Sequence, residues 1–157
     1  MRTTIKPLPD NASIASLERE HPCAGMRVAL VVAGPPQPKE RARRGKGGRF
    51  YTPKRTQQYE AAVRNVATLG TPAGWPGDAR YSVTVVAYFA DGRHRDVDNV
   101  AKAALDGMQG ICFRNDAQVI RLVSERGGID RANPRTEIVV EVMGALAPGR
   151  AQKGRAA

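Results

Sequence analysis

The sequence has few cysteines and no long apolar run. Its two cysteines, Cys23 and Cys112, stand far apart and outside any Cys-x-x-Cys spacing, which argues against a disulfide framework or a structural zinc site. No stretch approaches the roughly 18 apolar residues that a membrane-spanning helix needs, and the first residues lack the apolar segment of a signal peptide. We therefore expect a protein of the reducing cytoplasm with no membrane partner.

Acidic residues are also few in comparison with basic ones. The 157 residues include 25 Lys plus Arg against 15 Asp plus Glu, a net charge of +10. Such a surface attracts polyanions, and nucleic acid is the leading partner. Ribosomal proteins, architectural proteins and nucleases share this balance, so charge alone does not separate a catalyst from a binding module.

The length suits one ordinary domain. Residues 1–25 are polar and lack periodicity, which predicts a poorly ordered N-terminal extension. Residues 26–146 carry the regular patterns and form the predicted domain, whereas residues 147–157 are small and basic and predict a disordered tail.

The apolar periodicity predicts an α+β fold with a mixed sheet and helices packed largely on one side. Alternating apolar residues predict strands at residues 27–33, 81–90, 118–125 and 136–143. Apolar residues at helical spacing predict two helices. The first is capped by Thr52, starts at Pro53 and ends at Gly70, and the second covers residues 98–108.

Aspartates are concentrated in one short part of this basic chain. Five of the eight lie within 26 residues: Asp91, Asp96, Asp98, Asp106 and Asp116. In extended chain Asp96 and Asp98 would point to the same side, about 6.6 Å apart, and could share one volume. Carboxylates so placed repel one another unless a cation lies between them. Three aspartates would suit magnesium, which prefers oxygen ligands.

The predicted second helix brings a lysine to these aspartates. Its apolar face comprises Val100, Ala101, Ala104, Leu105 and Met108, and Lys102 lies on the other side, four residues after Asp98. Lys102 could contact a phosphate held by the metal. Structural roles remain open for the same residues, because Asp96 or Asp98 could cap the helix, Lys102 could pair with Asp98, and Asp116 could belong to an ordinary turn.

A basic segment follows the first strand, and we expect it to neutralise DNA phosphates. The candidate DNA-binding residues are Lys39, Arg41, Arg43, Arg44, Lys46, Arg49, Lys54 and Arg55. The alternative is a solvated, flexible loop. His94 is a lone histidine in a basic linker, where a phosphate contact or a solvated side chain is more common than catalysis.

At these motifs the chain resembles the RusA family of Holliday junction resolvases. The resemblance covers roughly residues 27–143 and rests on an ordered set of segments: Gly34-Pro35-Pro36, Lys39 with Arg41 and Arg43, Tyr51-Thr52-Pro53, Arg95-Asp96-Val97-Asp98-Asn99 with Lys102, Leu105-Asp106-Gly107-Met108-Gln109-Gly110, and Asn115-Asp116-Ala117-Gln118-Val119-Ile120. Relatives often have two adjacent acids where this chain has Asn115 and Asp116.

The resemblance implies a homodimer that uses Mg²⁺ to nick two symmetrically placed strands of four-way junction DNA, in recombination and repair. It implies Asp96, Asp98 and Asp116 as metal ligands and Lys102 as the essential lysine. If Asn115 stood at a ligand position, magnesium affinity would fall. The alternatives are a non-catalytic basic nucleic-acid-binding module and a nuclease that acts on flaps or RNA.

Overall fold

The computed structural model describes residues 22–145. Most of the predicted N-terminal extension and all of the predicted C-terminal tail lie outside these residues. In chain order the described elements are β1 (Arg27–Ala33), β2 (Arg43–Arg44), β3 (Phe50–Tyr51), α1 (Lys54–Gly70), β4 (Ala79–Phe89), α2 (Val97–Met108), a 3-10 helix (Asp116–Gln118), β5 (Val119–Ile129) and β6 (Arg135–Ala145).

Four strands form the main sheet, in the order β1-β6-β4-β5. β6 runs antiparallel to both β1 and β4, whereas β5 runs parallel to β4. α2 makes the crossover between these parallel strands, as parallel pairs require. The predicted mixed sheet is therefore confirmed. β2 and β3 pair separately as a small hairpin inside the basic segment.

The core lies on one face of the main sheet. The register places Leu30 opposite Ile138 and Ile138 opposite Val85, so these apolar side chains share a face. All three are at most 3% exposed. β-Branched residues that alternate with polar ones fit such a half-buried sheet, which explains why the period-2 pattern located these strands.

Both helices pack on this face, and they also pack on each other. α1 contacts β1, and α2 contacts β4 and β5. The buried residues of α1 are Thr56, Tyr59, Val63 and Ala67, and those of α2 are Val100, Ala101, Ala103, Ala104, Gly107 and Met108. The structure thus confirms the predicted α+β arrangement, although Leu105 is only partly buried.

The predicted start of α1 was wrong by one residue, whereas α2 starts within one residue of the predicted position. Pro53, not Thr52, precedes the first helical residue of α1, and its extended ψ of 144° keeps it outside the helix. The Thr52 carbonyl instead accepts a hydrogen bond from the Gln57 side chain (2.6 Å). α2 starts at Val97, which puts Asp96 at the N-cap and Asp98 in the first turn.

Candidate metal centre and nucleic-acid interface

Asp96 and Asp98 lie together at the start of α2. Asp96 stands at the N-cap but makes no side-chain capping hydrogen bond, and Asp98 is in the first turn. The side chain of Asn99 donates to the Asp96 carboxylate at 3.4 Å. Both carboxylates are exposed. The capping role considered for Asp96 is therefore not observed, and both carboxylates keep open acceptor positions.

The linker before α2 is held by an ion pair. Arg95 donates to both oxygens of Asp91, at 2.6 and 3.1 Å, and its guanidinium lies 5.2 Å from the centre of the Phe89 ring. The hydrogen bond from Arg95 lowers the pKa of Asp91 to about 2. Asp91 therefore serves to position the linker that leads to Asp96, and it is less available than its neighbours to bind a cation.

Asp96, Asp98 and Asp116 have no ion pair with a basic side chain among the contacts of the described residues. Within residues 22–145, Lys or Arg side chains pair with Glu40, Glu60, Asp91, Asp106, Asp130 and Glu137. Asp98 and Lys102 do not form the considered i,i+4 pair among the described contacts. In a chain of net charge +10, three unpaired carboxylates offer oxygen ligands of the kind that hard cations prefer.

Lys102 is exposed beside a concavity that we call the lysine cleft. The cleft has a volume of about 250 Å³ and is lined by Lys39, Glu40, Arg41, Ala42, Asn99 and Lys102. The backbone N–H of Lys39 donates to the Asn99 carbonyl at 2.9 Å, which ties the basic segment to the first turn of α2. Positive side chains from two segments thus converge next to the Asp96–Asp98 pair, where a phosphate would be attracted.

Asp116 lies in the 3-10 helix that precedes β5. Asn115 caps this helix, because its side-chain oxygen accepts a hydrogen bond from the Ala117 N–H at 2.8 Å. Asn and Asp cap equally well. Asn115 therefore has a local structural role, and its side-chain oxygen is already engaged.

Sequence reasoning missed the role of Gln118. Its side-chain oxygen accepts from the N–H groups of Arg114 (2.8 Å) and Asn115 (3.0 Å). Its amide donates to the carbonyls of Gly77 (3.1 Å) and Ala79 (2.9 Å). This buried side chain fixes the Asp116 turn to the start of β4. The available signal was a glutamine at the first position of a predicted strand, directly before Val119 and Ile120.

The fold separates Asp116 from the other two aspartates. Near the start of α2, the Ser124 hydroxyl donates to the Val97 carbonyl (2.7 Å). Ser124 follows Val119 by five strand residues, roughly 16 Å of extended chain, and Asp116 lies before Val119. Among the described residues no group of three or more His, Cys, Asp or Glu side chains is placed to hold a metal ion. One chain thus brings together Asp96, Asp98 and Lys102 but not Asp116.

Most of the predicted DNA-binding side chains face solvent. The exposed ones are Arg41, Arg43, Arg44, Lys46, Arg49, Lys54 and Arg55. Lys39 differs, because it forms ion pairs with Asp106 and with Glu60 (3.4 Å). Burial opposes its protonation, but Asp106 and then Glu60 raise the pKa of Lys39 above its ordinary value. Lys39 therefore anchors the basic segment on both helices. His94 is exposed.

The basic segment is structured as well as charged. β2 and β3 pair Arg43 with Tyr51 and Arg44 with Phe50. Gly47 and Gly48 have φ values of 92° and 80° in the connecting turn, a conformation that favours glycine. The segment thus contains a small hairpin that displays basic side chains to solvent.

Comparison with known proteins identifies a family for this chain. Residues 33–141 match the family described as "Endodeoxyribonuclease RusA", whereas a search of curated proteins finds no match. Within residues 22–145 no helix is long and apolar enough to span a membrane. The family match covers most of the chain and sets aside the non-catalytic module. The chain belongs to the RusA family of endodeoxyribonucleases, the enzymes that resolve Holliday junctions.

Proposed function

We propose that this chain acts as a homodimer that resolves four-way DNA junctions by paired, symmetric, magnesium-dependent phosphodiester hydrolysis. The observation that carries the proposal is that Asp96, Asp98 and Asp116 lack basic partners among the described contacts although basic residues outnumber acidic ones, 25 to 15. Left unpaired, these carboxylates are available to a cation. Such a reaction serves DNA recombination and repair.

Carboxylate ligands suit magnesium. Within one chain, however, Asp116 does not lie with Asp96 and Asp98, so the three carboxylates do not form one site. Val119, the residue at which β5 starts after Asp116, lies roughly 16 Å along the strand from Ser124, which contacts Val97. We therefore propose that each centre combines Asp96 and Asp98 of one chain with Asp116 of the partner subunit. A two-fold symmetric dimer then forms two identical centres, which paired incisions require.

Each residue has a distinct role in this proposal. Asp96, Asp98 and the partner subunit's Asp116 would hold the metal. The chemistry that bound magnesium supplies is activation of water and stabilisation of charge on the scissile phosphate. Lys102, exposed at the rim of the lysine cleft, would bind a non-bridging oxygen of that phosphate. Asn99 donates to Asp96 and would orient its carboxylate toward the metal.

The exposed basic residues would hold the junction arms. Arg41, Arg43, Arg44, Lys46, Arg49, Lys54 and Arg55 would bind phosphates, and their contribution should fall steeply with salt. Lys39 was included with them in the prediction, but its ion pairs favour a structural contribution. The buried thiol of Cys112, whose pKa burial raises, suits the reducing cytoplasm that we propose as the compartment.

Cleavage of strand-labelled four-way junctions tests this function. The wild-type protein should nick opposite strands symmetrically with magnesium and not with a chelator. Asp96→Asn, Asp98→Asn and Asp116→Asn should each lower the rate at least about a hundredfold, more than loss of a group that only supports a ligand. Glu125→Gln is the matched control, since Glu125 is also exposed and has no ion pair among the described contacts. Equal cleavage of flaps or RNA would contradict junction specificity.

Mixed dimers test the shared centre. A purified dimer of one Asp96→Asn chain and one Asp116→Asn chain should regain nicking, because one of its centres contains only wild-type residues. A dimer of Asp96→Asn and Asp98→Asn chains is the control and should stay inactive, since each of its centres carries a lesion. An inactive first dimer would show that Asp116 acts within its own chain.

A further inference from the structure

A second concavity lies between the hairpin and the start of α1. We call it the tyrosine pocket; it has a volume of about 430 Å³ and is lined by Glu40, Arg43, Tyr51, Pro53, Lys54 and Arg55. Pockets that bind small molecules commonly measure about 300–1,000 Å³. The space is therefore of the size that one nucleotide would occupy, and it lies apart from Asp96, Asp98 and Asp116.

The charge of the tyrosine pocket suits a phosphate. Lys54 and Arg55 are the first two residues of α1, whose first turn contains no acidic residue and whose N-cap, Pro53, makes no side-chain hydrogen bond. Because helix N-termini carry partial positive charge, basic side chains there are unfavourable unless an anion binds. The one acidic group of the lining, Glu40, already pairs with Arg43 at 2.9 Å. Lys54 and Arg55 have no ion pair among the described contacts.

The pocket also has an aromatic wall. Tyr51 is 49% exposed and its neighbour Phe50 is 73% exposed. The ring of Tyr81, in contrast, packs against the rings of Trp75 and Phe113. A β-carbon at Gly45 would lie 3.5 Å from the Tyr51 ring, so the hairpin supports this ring from one side. Exposed aromatic rings among basic side chains are the usual platform for unpaired bases.

The tyrosine pocket adjoins the lysine cleft, because Glu40 lines both. Glu40 is held in place by its backbone N–H, which donates to the Thr56 hydroxyl of α1 at 3.2 Å. A DNA strand with one phosphate at Lys102 could therefore continue past Glu40 into the tyrosine pocket. A base inside a duplex is stacked on both sides and could not reach the ring, but a nucleotide at a branch point could.

We propose that the tyrosine pocket binds one unstacked nucleotide at the branch point of the DNA junction, with its base on Tyr51 and its phosphate between Lys54 and Arg55. The inference rests on the proposed function and adds to it a basis for preferring branched DNA over duplex. Phosphate contacts position a substrate but do not distinguish branched DNA from duplex. Binding of an unstacked base does distinguish them, because bases inside a duplex are stacked.

Binding of junctions with and without a base at the branch point tests this inference. In an Asp96→Asn background, which allows binding without cleavage, an abasic nucleotide at the occupied position should weaken binding about tenfold. Tyr51→Leu should weaken binding of the intact junction by a similar factor and make binding insensitive to the abasic change. Tyr51→Phe, which keeps the ring, should behave like the parent protein. Affinity for linear duplex should not depend on Tyr51.

A merely structural role for Tyr51 gives a different result. In that case Tyr51→Leu would weaken binding of intact and abasic junctions equally, which would overturn the inference.

If Tyr51→Leu fails to fold, Lys54→Gln combined with Arg55→Gln tests the phosphate end, since both side chains are exposed. This variant should lose junction affinity, and its binding should no longer respond to the abasic change. Loss of affinity with the abasic effect retained would overturn the inference. If the protein cleaves junctions symmetrically but its binding does not depend on the base at the branch point, the inference is overturned and the proposed function stands. If the wild-type protein does not prefer junctions to linear duplex, both proposals are overturned.

Discussion

Gly107 of α2 lies so close to Val63 of α1 that a β-carbon at position 107 would be 2.7 Å from the Val63 Cβ. It would also be 2.8 Å from the Glu60 carbonyl oxygen. Real β-carbons do not approach other atoms so closely, and backbone cannot move aside as a flexible side chain can. A glycine is therefore needed for the two helices to cross at this distance, and the crossing positions the helix that carries Asp98 and Lys102.

Gly107→Ala should destabilise the protein by about 1–3 kcal/mol through overpacking, although alanine has the higher helix propensity. Gly92→Ala is the control. A β-carbon there would lie 3.6 Å from the Ile129 Cδ1, an ordinary van der Waals contact, so the free energy of unfolding should change by less than about 1 kcal/mol. Urea unfolding measures both. A Gly107→Ala protein as stable as the wild type would contradict the close crossing.

Lys39 should stabilise the fold through its ion pairs with Asp106 and Glu60. Lys39→Met leaves these two acids without their cation and should cost about 1–2 kcal/mol at pH 7, between the values for exposed and buried pairs. Because the pKa of Lys39 is raised in the folded state above 10.5, its contribution is complete below pH 10.5 and is lost as the pH rises through the folded pKa.

The pH dependence of unfolding checks this assignment. The stability difference between wild type and Lys39→Met should stay constant from pH 7 to about 10 and shrink above it. Arg43→Met is the control for a surface pair, since Arg43 is 65% exposed beside Glu40, and it should cost no more than about 1 kcal/mol. A difference that grows with rising pH would contradict the ion pairs.

Gln118→Met should lower both stability and magnesium affinity. The change leaves two N–H groups and two carbonyls without their side-chain partner, which should cost about 2–4 kcal/mol. Because the Asp116 turn loses its tie to β4, half-maximal cleavage should need more magnesium. Asn115→Asp, which keeps the cap, should leave the free energy of unfolding within about 0.5 kcal/mol. An unchanged magnesium requirement in Gln118→Met would refute the positioning role.

Local patterns predicted the elements well because they reflect which side chains face the core. The alternation in β1 and β4 and the helical spacing of Tyr59 and Val63 correspond to residues that the structure buries. The predicted strand ends were less accurate where backbone hydrogen bonding between strands continues past the residues that show the predicted pattern. β5 continues to Ile129 beyond the predicted end at 125, because its last residues still pair with Tyr88 and Phe89.

The candidate site was only partly predictable. Asp96, Asp98 and Lys102 are neighbours in sequence, and helical spacing linked Lys102 to Asp98. The extended-chain spacing used for Asp96 and Asp98 was wrong, because the helix already begins at Val97. The position of Asp116 depends on which way β5 runs beside β4, and no local pattern encodes that direction. The tyrosine pocket likewise depends on a hairpin that brings Arg43 opposite Tyr51, a contact between residues that carry no shared periodicity.

The parallel alignment of β4 and β5 has a kinetic consequence. Since the crossover helix returns the chain to the starting end of β4, the turn that precedes β5 and the start of α2 lie about half a strand length apart. If two copies complete each centre, the cleavage rate at low protein concentration should rise with the square of that concentration. Scarce, freshly synthesised enzyme would then leave chromosomal DNA intact, and incision would begin only after subunits accumulate or meet on the same junction.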